Sequence, residues 1–426
     1  MRLERIEWDG AEVEELASGV RALVPPLEDV GPEVAEIVAR VARQGDTALR
    51  ELSIAFGETP PERLRVDPER IASALGMLDS GLRDSLRTAA SNIYAVARAE
   101  LERLERPAMA ELAQGQRVEV ASAPVASAGV YAPAGRGVYP SSVLMCSLAA
   151  VAAGVSRIVV VTPPGGEGRP SDTVLAACAL CRVEEVYAVG GAQAIAALAH
   201  GTESIDPLDV VVGPGNRYVT AAKRAVSGLV GTDGIAGPSE LVIVADGTAP
   251  PQALALDLCA QAEHGDDTLL ALISANAVLL DDVAERVTEL AASRPSVADA
   301  PLALVSAPGL QRAVELADAL APEHLELAFE GADEASARGR VAGAVFVGSG
   351  GATAFGDYAA GSNHVLPTGG AARFGGPLGP GAFMRRTSVV SIGSSAAREL
   401  APHVEALARA EGFPVHGESA TERTRR

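Results

Sequence analysis

The sequence predicts an α/β protein built on two parallel sheets, each covered by helices on both faces. Three observations predict it. Helical and extended runs alternate from Ser141 to Gly348, the extended runs are short and rich in Val, Leu and Ile, and glycine and proline punctuate the short periodic runs. A parallel strand buried on both faces reads as a near-continuous apolar run, and its neighbour is reached through a crossover helix. At 426 residues the chain exceeds the size at which one core keeps growing, so two or more domains are expected.

The elements follow in order. The first hundred or so residues read mainly as helices: PEVAEIVARVARQGDTALRELSIAF carries an apolar stripe, and DSLRTAASNIYAVARAELERLE has charge on its outer face. From Arg117 the texture changes to the short β-like runs of GQRVEVASAPVASAGVYAPAG. The helix SSVLMCSLAAVAAGV then leads to the strand RIVVVTPPG, the helix TVLAACALCRV to the strand EEVYAVGG, and the helix AQAIAALAHG to the strand DVVVGPGN. A basic helix around AAKRAV precedes ELVIVAD, and the two sheets are expected to join near residues 230 to 245. PPQALALDLCAQAEH opens on a proline pair suited to a helix start, and the alternation resumes through TLLALISA, DDVAERVTELAAS, LALVSAP, GLQRAVELADALAP, LELAFE and GAVFVG. Residues 353–381 carry much glycine and proline, which marks a functional loop. TSVVSIGSSAARELAPHVEALARAEG reads as a strand and a helix, and the final GESATERTRR is expected to fray.

Composition excludes some functions. A net charge of −20, with no Lys/Arg run interleaved with aromatics, argues against a nucleic-acid partner. Apolar stretches are interrupted before reaching a membrane-spanning length, and MRLERIEWDG lacks the apolar core of a secretory signal, so no membrane partner and a cytoplasmic location are expected. Cys146, Cys178, Cys181 and Cys259 lie in apolar helical contexts with only one CxxC among them, which predicts buried free thiols.

Candidate chemistry gathers in a few stretches. In LCAQAEHGDD, Gln261 and His264 are three apart and share a helical face, while Glu263 is rotated off it. They are either half a coordination sphere or the polar end of a helix. APEHLELAF puts Glu323 and His324 just before a strand, although ligands of open α/β sheets bind at the carboxyl ends of strands. A polar loop is one reading; an adjacent carboxylate and imidazole that activate water and shuttle protons is the other. FGDYAAGSNHVLPTGG offers Asp357 and His364, and ARAEGFPVHGES offers Glu411 and His416 beyond a helix. Gln261, His264, Asp357 and His416 together make a mixed N/O set that suits zinc, and also manganese or cobalt. VGGAQA and VVGPGN follow strands and can present amides to a pyrophosphate, though neither is GxGxxG and no GxxxxGK[ST] occurs.

From roughly residue 30 to residue 416 the blocks GVYAPAG, YPSSVLM, VGGAQAIAALAHGTES, VVGPGNRYV, AGPSE, AQAEHG, APEHLEL, GDYAAGSNHVLPTGGAARF and FMRRTSVV stand in order. On these the chain resembles the histidinol dehydrogenase family. The resemblance implies two successive NAD-dependent oxidations at one site, from L-histidinol through an enzyme-held histidinaldehyde to L-histidine, the final steps of histidine biosynthesis. It implies one zinc per subunit, with Gln261, His264 and Asp357 as ligands and His416 supplied by the other subunit of a homodimer. Glu323 and His324 match the catalytic pair. Ser239 and Glu411, with Gln261, His264, His324, Asp357 and His416, match substrate positions, and His364 lines the site. Tyr131, Gln193 and Asn216 match the NAD contacts.

The implied architecture is two incomplete Rossmann-like domains, aldehyde-dehydrogenase-like in arrangement. A short N-terminal arm takes residues 1–26, a substrate and zinc domain 27–130 with 241–378, an NAD domain 131–240, and a C-terminal extension that crosses to the partner 379–426. The chain departs from the family pattern at Cys146 to Ala150, at Ala134, at His200 and in VASAG, which lacks a basic residue before its glycine. These changes fall near the presumed cofactor region and bear on NAD affinity more than on the reaction. The rival readings are a non-catalytic NAD- or metal-binding homologue, and a zinc hydrolase that uses Glu323 on metal-bound water.

Overall fold

The structure, a computed structural model, describes residues 1–25, 29–135, 137–165, 168–234 and 237–425. The expected boundary at residues 26 and 27, and Ala236 of the AGPSE block, lie outside them. The chain opens with β1 (Arg2–Glu7) and α1 (Val13–Arg21), followed by α2 (Gly31–Ala55), α3 (Pro68–Met77) and α4 (Ser80–Leu104). β2 (Ala108–Glu111) and β3 (Arg117–Pro124) pair next. The first βα series is β4 (Ser127–Tyr131), α5 (Pro140–Ala153), β5 (Arg157–Thr162), α6 (Asp172–Leu180), β6 (Glu185–Ala188), α7 (Gly191–His200), β7 (Val210–Val212), α8 (Arg217–Val226) and β8 (Gly231–Thr232). The second is β9 (Glu240–Ala245), α9 (Pro251–Ala262), β10 (Leu269–Ser274), α10 (Ala277–Ser293), β11 (Pro301–Ser306), α11 (Leu310–Leu320), β12 (His324–Ala328), α12 (Ala332–Ala337) and β13 (Ala344–Val347). α13 (Thr353–Tyr358), β14 (Met384–Ser391), α14 (Ser394–Ala410) and α15 (Pro414–Glu422) complete the chain.

The alternation yields two parallel sheets, as the sequence predicts. One has the order β6-β5-β4-β7-β8, the other β1-β11-β10-β9-β12-β13. Each series starts in the middle of its sheet, adds strands on one side, then crosses to the other. The order therefore reverses between β4 and β7, and again between β9 and β12, where open α/β sheets leave a crevice.

The packing differs from the expected division at two points. The charged run RLERIE forms β1, an edge strand parallel to β11 with Ile6 opposite Val305, and α1 packs on α11. The N-terminal segment is thus part of the six-stranded unit. The helices at 31–104, expected with 241–378, pack on the five-stranded sheet instead. Val34, Ile37, Val41 and Leu49 share a core with Val159, Val161 and Val211, and Ile71, Leu86 and Ile93 share another with Val130 and Val160.

Three local features also differ. β14 pairs antiparallel with β3 over Met384–Ser391, making a three-stranded β14-β3-β2 sheet. α2 is interrupted at Gly45 (φ 53, ψ −132). The C-terminal segment does not fray from Gly417: Pro414–Glu422 is a helix that folds back on α14 with Gly417 buried at the crossing. The four cysteines are buried and free, and no helix among the described residues is long and apolar enough to cross a membrane.

Candidate active site

Glu323 and His324 stand at the amino end of β12, beside Glu240 at the amino end of β9, so they occupy the switch point of the six-stranded sheet at its amino edge. The chain reaches them by a sharp stop. Ala321 ends α11 in the left-handed region (φ 45), and Pro322 cannot continue the helix. That conformation costs a non-glycine residue roughly 1–2 kcal/mol, the kind of local strain that accumulates at functional sites.

Both side chains are oriented by the backbone of Glu240. Glu323 Oε2 accepts from Ser239 Oγ at 2.5 Å and from the Glu240 backbone N–H at 2.8 Å. His324 Nδ1 lies 2.9 Å from the Glu240 carbonyl oxygen. A carbonyl only accepts, so Nδ1 carries a proton and Nε2 is the nitrogen left for chemistry. Nε2 is buried without a hydrogen-bond partner and lies 3.5 Å from Asp357 Oδ1. Burial opposes a charge on His324, but the Glu323 and Asp357 carboxylates outweigh it and raise the imidazole to about 9. Burial raises Glu323, opposed by His324 and by the Ser239 hydrogen bond. Burial also acts upward on Asp357, yet His324, His364 and His264 bring its carboxyl below the ordinary value.

The expected N/O donors are carried by α9, the turn after it, and α13. Gln261 is buried in the last turn of α9, and its Nε2 donates to Ser239 Oγ, which leaves its Oε1 free to face a ligand. His264 follows the helix end, with Nδ1 at 3.1 Å from the Gln261 carbonyl oxygen. Asp357 rides on α13, which packs against α9. His364 spends both ring nitrogens on the scaffold, Nε2 at 3.0 Å from Ser142 Oγ and Nδ1 at 3.1 Å from the Asp357 carbonyl oxygen. It holds α13 rather than offering a free donor. His416 and Glu411 are not brought here: both are exposed near the α14–α15 turn, where His416 meets the Phe413 ring at 5.7 Å.

Among the described residues no group of three His, Cys, Asp or Glu is placed to hold a metal. One chain supplies His264, Asp357 and the Gln261 amide, a donor set that fits zinc once a further ligand is added.

The expected NAD residues line the carboxyl edge of the five-stranded sheet. Tyr131 ends β4, and its hydroxyl accepts from the Gly191 N–H at 3.1 Å. Gln193 is buried in the first turn of α7 with Oε1 unpartnered, and Asn216 caps α8 by accepting from Tyr218 and Val219 N–H groups. Tyr131 and Asn216 flank the β4/β7 switch point, where dinucleotides bind in open sheets. A side chain at Gly213 (φ 118) would collide with the Tyr131 carbonyl, so the backbone approaches as only glycine permits.

Two supports of this site escape sequence reasoning. Lys223, the only lysine in the chain, is buried; its Nζ donates to the Gly213 carbonyl at 2.8 Å and pairs with Asp233. Asp233 Oδ2 accepts from the Gly213 N–H at 2.7 Å, so the pair grips both ends of the residue that opens the GPGN turn. A solitary lysine inside an amphipathic helix was the available signal. Lys223→Met leaves Asp233 buried and uncompensated, and is expected to cost about 3–5 kcal/mol in urea unfolding and to raise KM for NAD. Glu240 is the other support: its neighbour Ser239 stands out in AGPSE, but the carboxylate does not.

A family model described as histidinol dehydrogenase matches residues 25–424. The histidinol dehydrogenase of Rhodospirillum rubrum is 43% identical over 410 residues, covering 94% of this chain and 93% of its own. That of Methanothermobacter thermautotrophicus is 40% identical over 433 residues, covering 100% of both. The crystal structure of histidinol dehydrogenase from Elizabethkingia anophelis superposes with a TM-score of 0.90 at 28% identity, covering 100% of this chain and 98% of that one. With the two switch points, the pair on β12 and a match spanning nearly its whole length, the chain belongs to the histidinol dehydrogenase family.

Proposed function

We propose that the protein oxidises L-histidinol to L-histidine through L-histidinaldehyde, reducing two NAD, in the final steps of histidine biosynthesis in the cytoplasm. Membership of a family of NAD-dependent oxidoreductases supports the reaction class. The observation that carries the residue roles is His324 Nε2, buried, without a hydrogen-bond partner, and backed by a Nδ1–H that a carbonyl holds in place. In the first oxidation His324 takes the hydroxyl proton as the carbinol carbon passes hydride to NAD. Water then adds to the aldehyde as Glu323 takes its proton and the His324 imidazolium returns one to the former carbonyl oxygen, which gives the hydrate and a neutral imidazole. In the second oxidation His324 takes one hydroxyl proton from that hydrate as its carbon gives up hydride, leaving the carboxylic acid, which loses its remaining proton to water and becomes the carboxylate. The imidazole must be neutral at the start of each transfer, and because the Glu323 and Asp357 carboxylates raise it to about 9, turnover is expected to climb as the pH rises toward that value.

Gln261, His264 and Asp357 would hold one zinc per subunit, completed by His416 of the partner subunit in a homodimer. Bound zinc would orient the substrate through its imidazole and amino nitrogens, the template role of a metal. Ser239 and Glu411 would contact the substrate, and Tyr131, Gln193 and Asn216 the NAD. Supplying L-histidinol and NAD and following absorbance of the reduced cofactor tests the reading, and no reduction by the folded protein would leave a non-catalytic homologue. Chelation is expected to abolish turnover and added zinc to restore it, with metal analysis giving one zinc per subunit. A metal-free sample with normal turnover would remove zinc from the mechanism.

A further inference from the structure

Arg21 is the last residue of α1, in the N-terminal segment that precedes the stretch matched by the family model. Its Nη1 donates to Glu240 Oε1 at 2.7 Å, and its Nη2 donates to the Leu320 carbonyl at the end of α11. One guanidinium thus ties together the two segments that carry the proposed acid/base pair: the start of β9, and the helix end from which the chain turns to Glu323. Glu240 extends the tie. Its Oε2 accepts from the Glu323 backbone N–H at 3.2 Å, and its Oε1 also accepts from the Gly369 N–H at 2.9 Å, in the glycine-rich loop after His364. The main chain of the same residue holds the Glu323 carboxylate and the His324 Nδ1. Glu240 is buried and a carboxylate needs a cation there; among the described residues Arg21 supplies it.

We propose that Arg21 is a positioning residue for the reaction: acting through Glu240, it fixes the direction of His324 Nε2 and the Glu323 carboxylate, so the N-terminal β1–α1 segment is a working part of the active site. This rests on the reading of Glu323 and His324 as the catalytic pair. The fork matters as well as the charge, since a lysine can reach one of the two acceptors but does not hold both in a plane.

The test uses the full-length enzyme loaded with zinc. Arg21→Met is expected to lower kcat in both oxidations by roughly 10- to 100-fold, the scale set by a misplacement of about 1 Å. KM for NAD should stay at the wild-type value, because the NAD residues lie on the other sheet. Arg21→Lys is expected to recover part of kcat, and it supplies the comparison if Arg21→Met does not fold. The deciding measurement is the double variant in the oxidation of histidinol to the aldehyde, the half that does not use Glu323: in a His324→Asn background, Arg21→Met should cost little more there, because its effect passes through a residue already removed. The same fractional loss in both backgrounds, wild-type kcat with only a lower Tm in Arg21→Met, or wild-type kcat in Arg21→Lys with no deficit in Arg21→Met, overturns the proposal. His324→Asn with full activity would overturn the catalytic reading instead, and that single variant tells the two failures apart.

Discussion

Glu323→Gln is expected to slow oxidation of supplied histidinaldehyde by about 10²–10⁴-fold while leaving oxidation of histidinol to the aldehyde much less affected. The substitution suits the question. An amide oxygen can still accept from Ser239 Oγ and the Glu240 N–H, the two bonds that orient Oε2, so the geometry is retained while the proton acceptor is lost. Only the second oxidation needs a water to be deprotonated, so only that half should suffer strongly. His324→Asn should slow both halves, because each begins with loss of a proton from oxygen as hydride leaves. The steps are separated by feeding the aldehyde directly and following NAD reduction in single turnovers. Equal losses in the two halves for Glu323→Gln would show that Glu323 serves orientation or charge rather than hydration. Wild-type rates for His324→Ala in both halves would eliminate His324 as the base.

The sequence makes the two sheets legible because most of their strands are buried on both faces and read as near-continuous apolar runs. β9, with all of Glu240–Ala245 buried, and β10, with all of Leu269–Ser274 buried, are such strands. β1 is not legible, since it pairs on one edge only and keeps its Arg and Glu side chains in solvent. An amphipathic stripe on α2 and α4 declares that each helix packs but not against which sheet, hence the misassigned 31–104 region. The β14–β3 pairing joins segments far apart in the chain, and no local pattern encodes its register. The C-terminal helix carries Gly, Ser and Thr that lower its intrinsic propensity, and packing against α14 overrides this.

The candidate site divides along the same physical line. Residues whose chemistry is unusual for their surroundings, such as the histidines at element ends, stand out one by one. Those whose role exists only through a tertiary contact do not. Glu240 and Arg21 are ordinary in sequence and become a unit only when α1 docks beside β9. The crevice rule, applied to Glu323 and His324, favours a polar loop, because it looks to the carboxyl edge of a sheet. The pair sits at the amino edge, where the neighbouring strand start supplies the Glu240 N–H to Glu323 and the Glu240 carbonyl to His324.

Mixing a His416→Ala protein with a His264→Ala protein is expected to restore activity that neither has alone. His416 is exposed on α15, apart from Gln261, His264 and Asp357, and its neighbours Phe413 and Val415 are 57% and 69% exposed. Large apolar side chains so open to solvent beside a metal-ligating residue type fit a surface that a second copy covers. If that copy receives His416 in its zinc site, each homodimer of the variants lacks a ligand at both sites. A heterodimer carries both defects at one site and neither at the other, so activity per heterodimer should rise to as much as half that of the wild type. An interface that contains the site resists scrambling, so the experiment includes a refolding step and differently tagged subunits to count heterodimers. With heterodimers demonstrated and activity still at the level of the parents, His416 would serve its own chain and the crossed arrangement would be wrong. Recovery would instead show that His416 completes a site in the other chain.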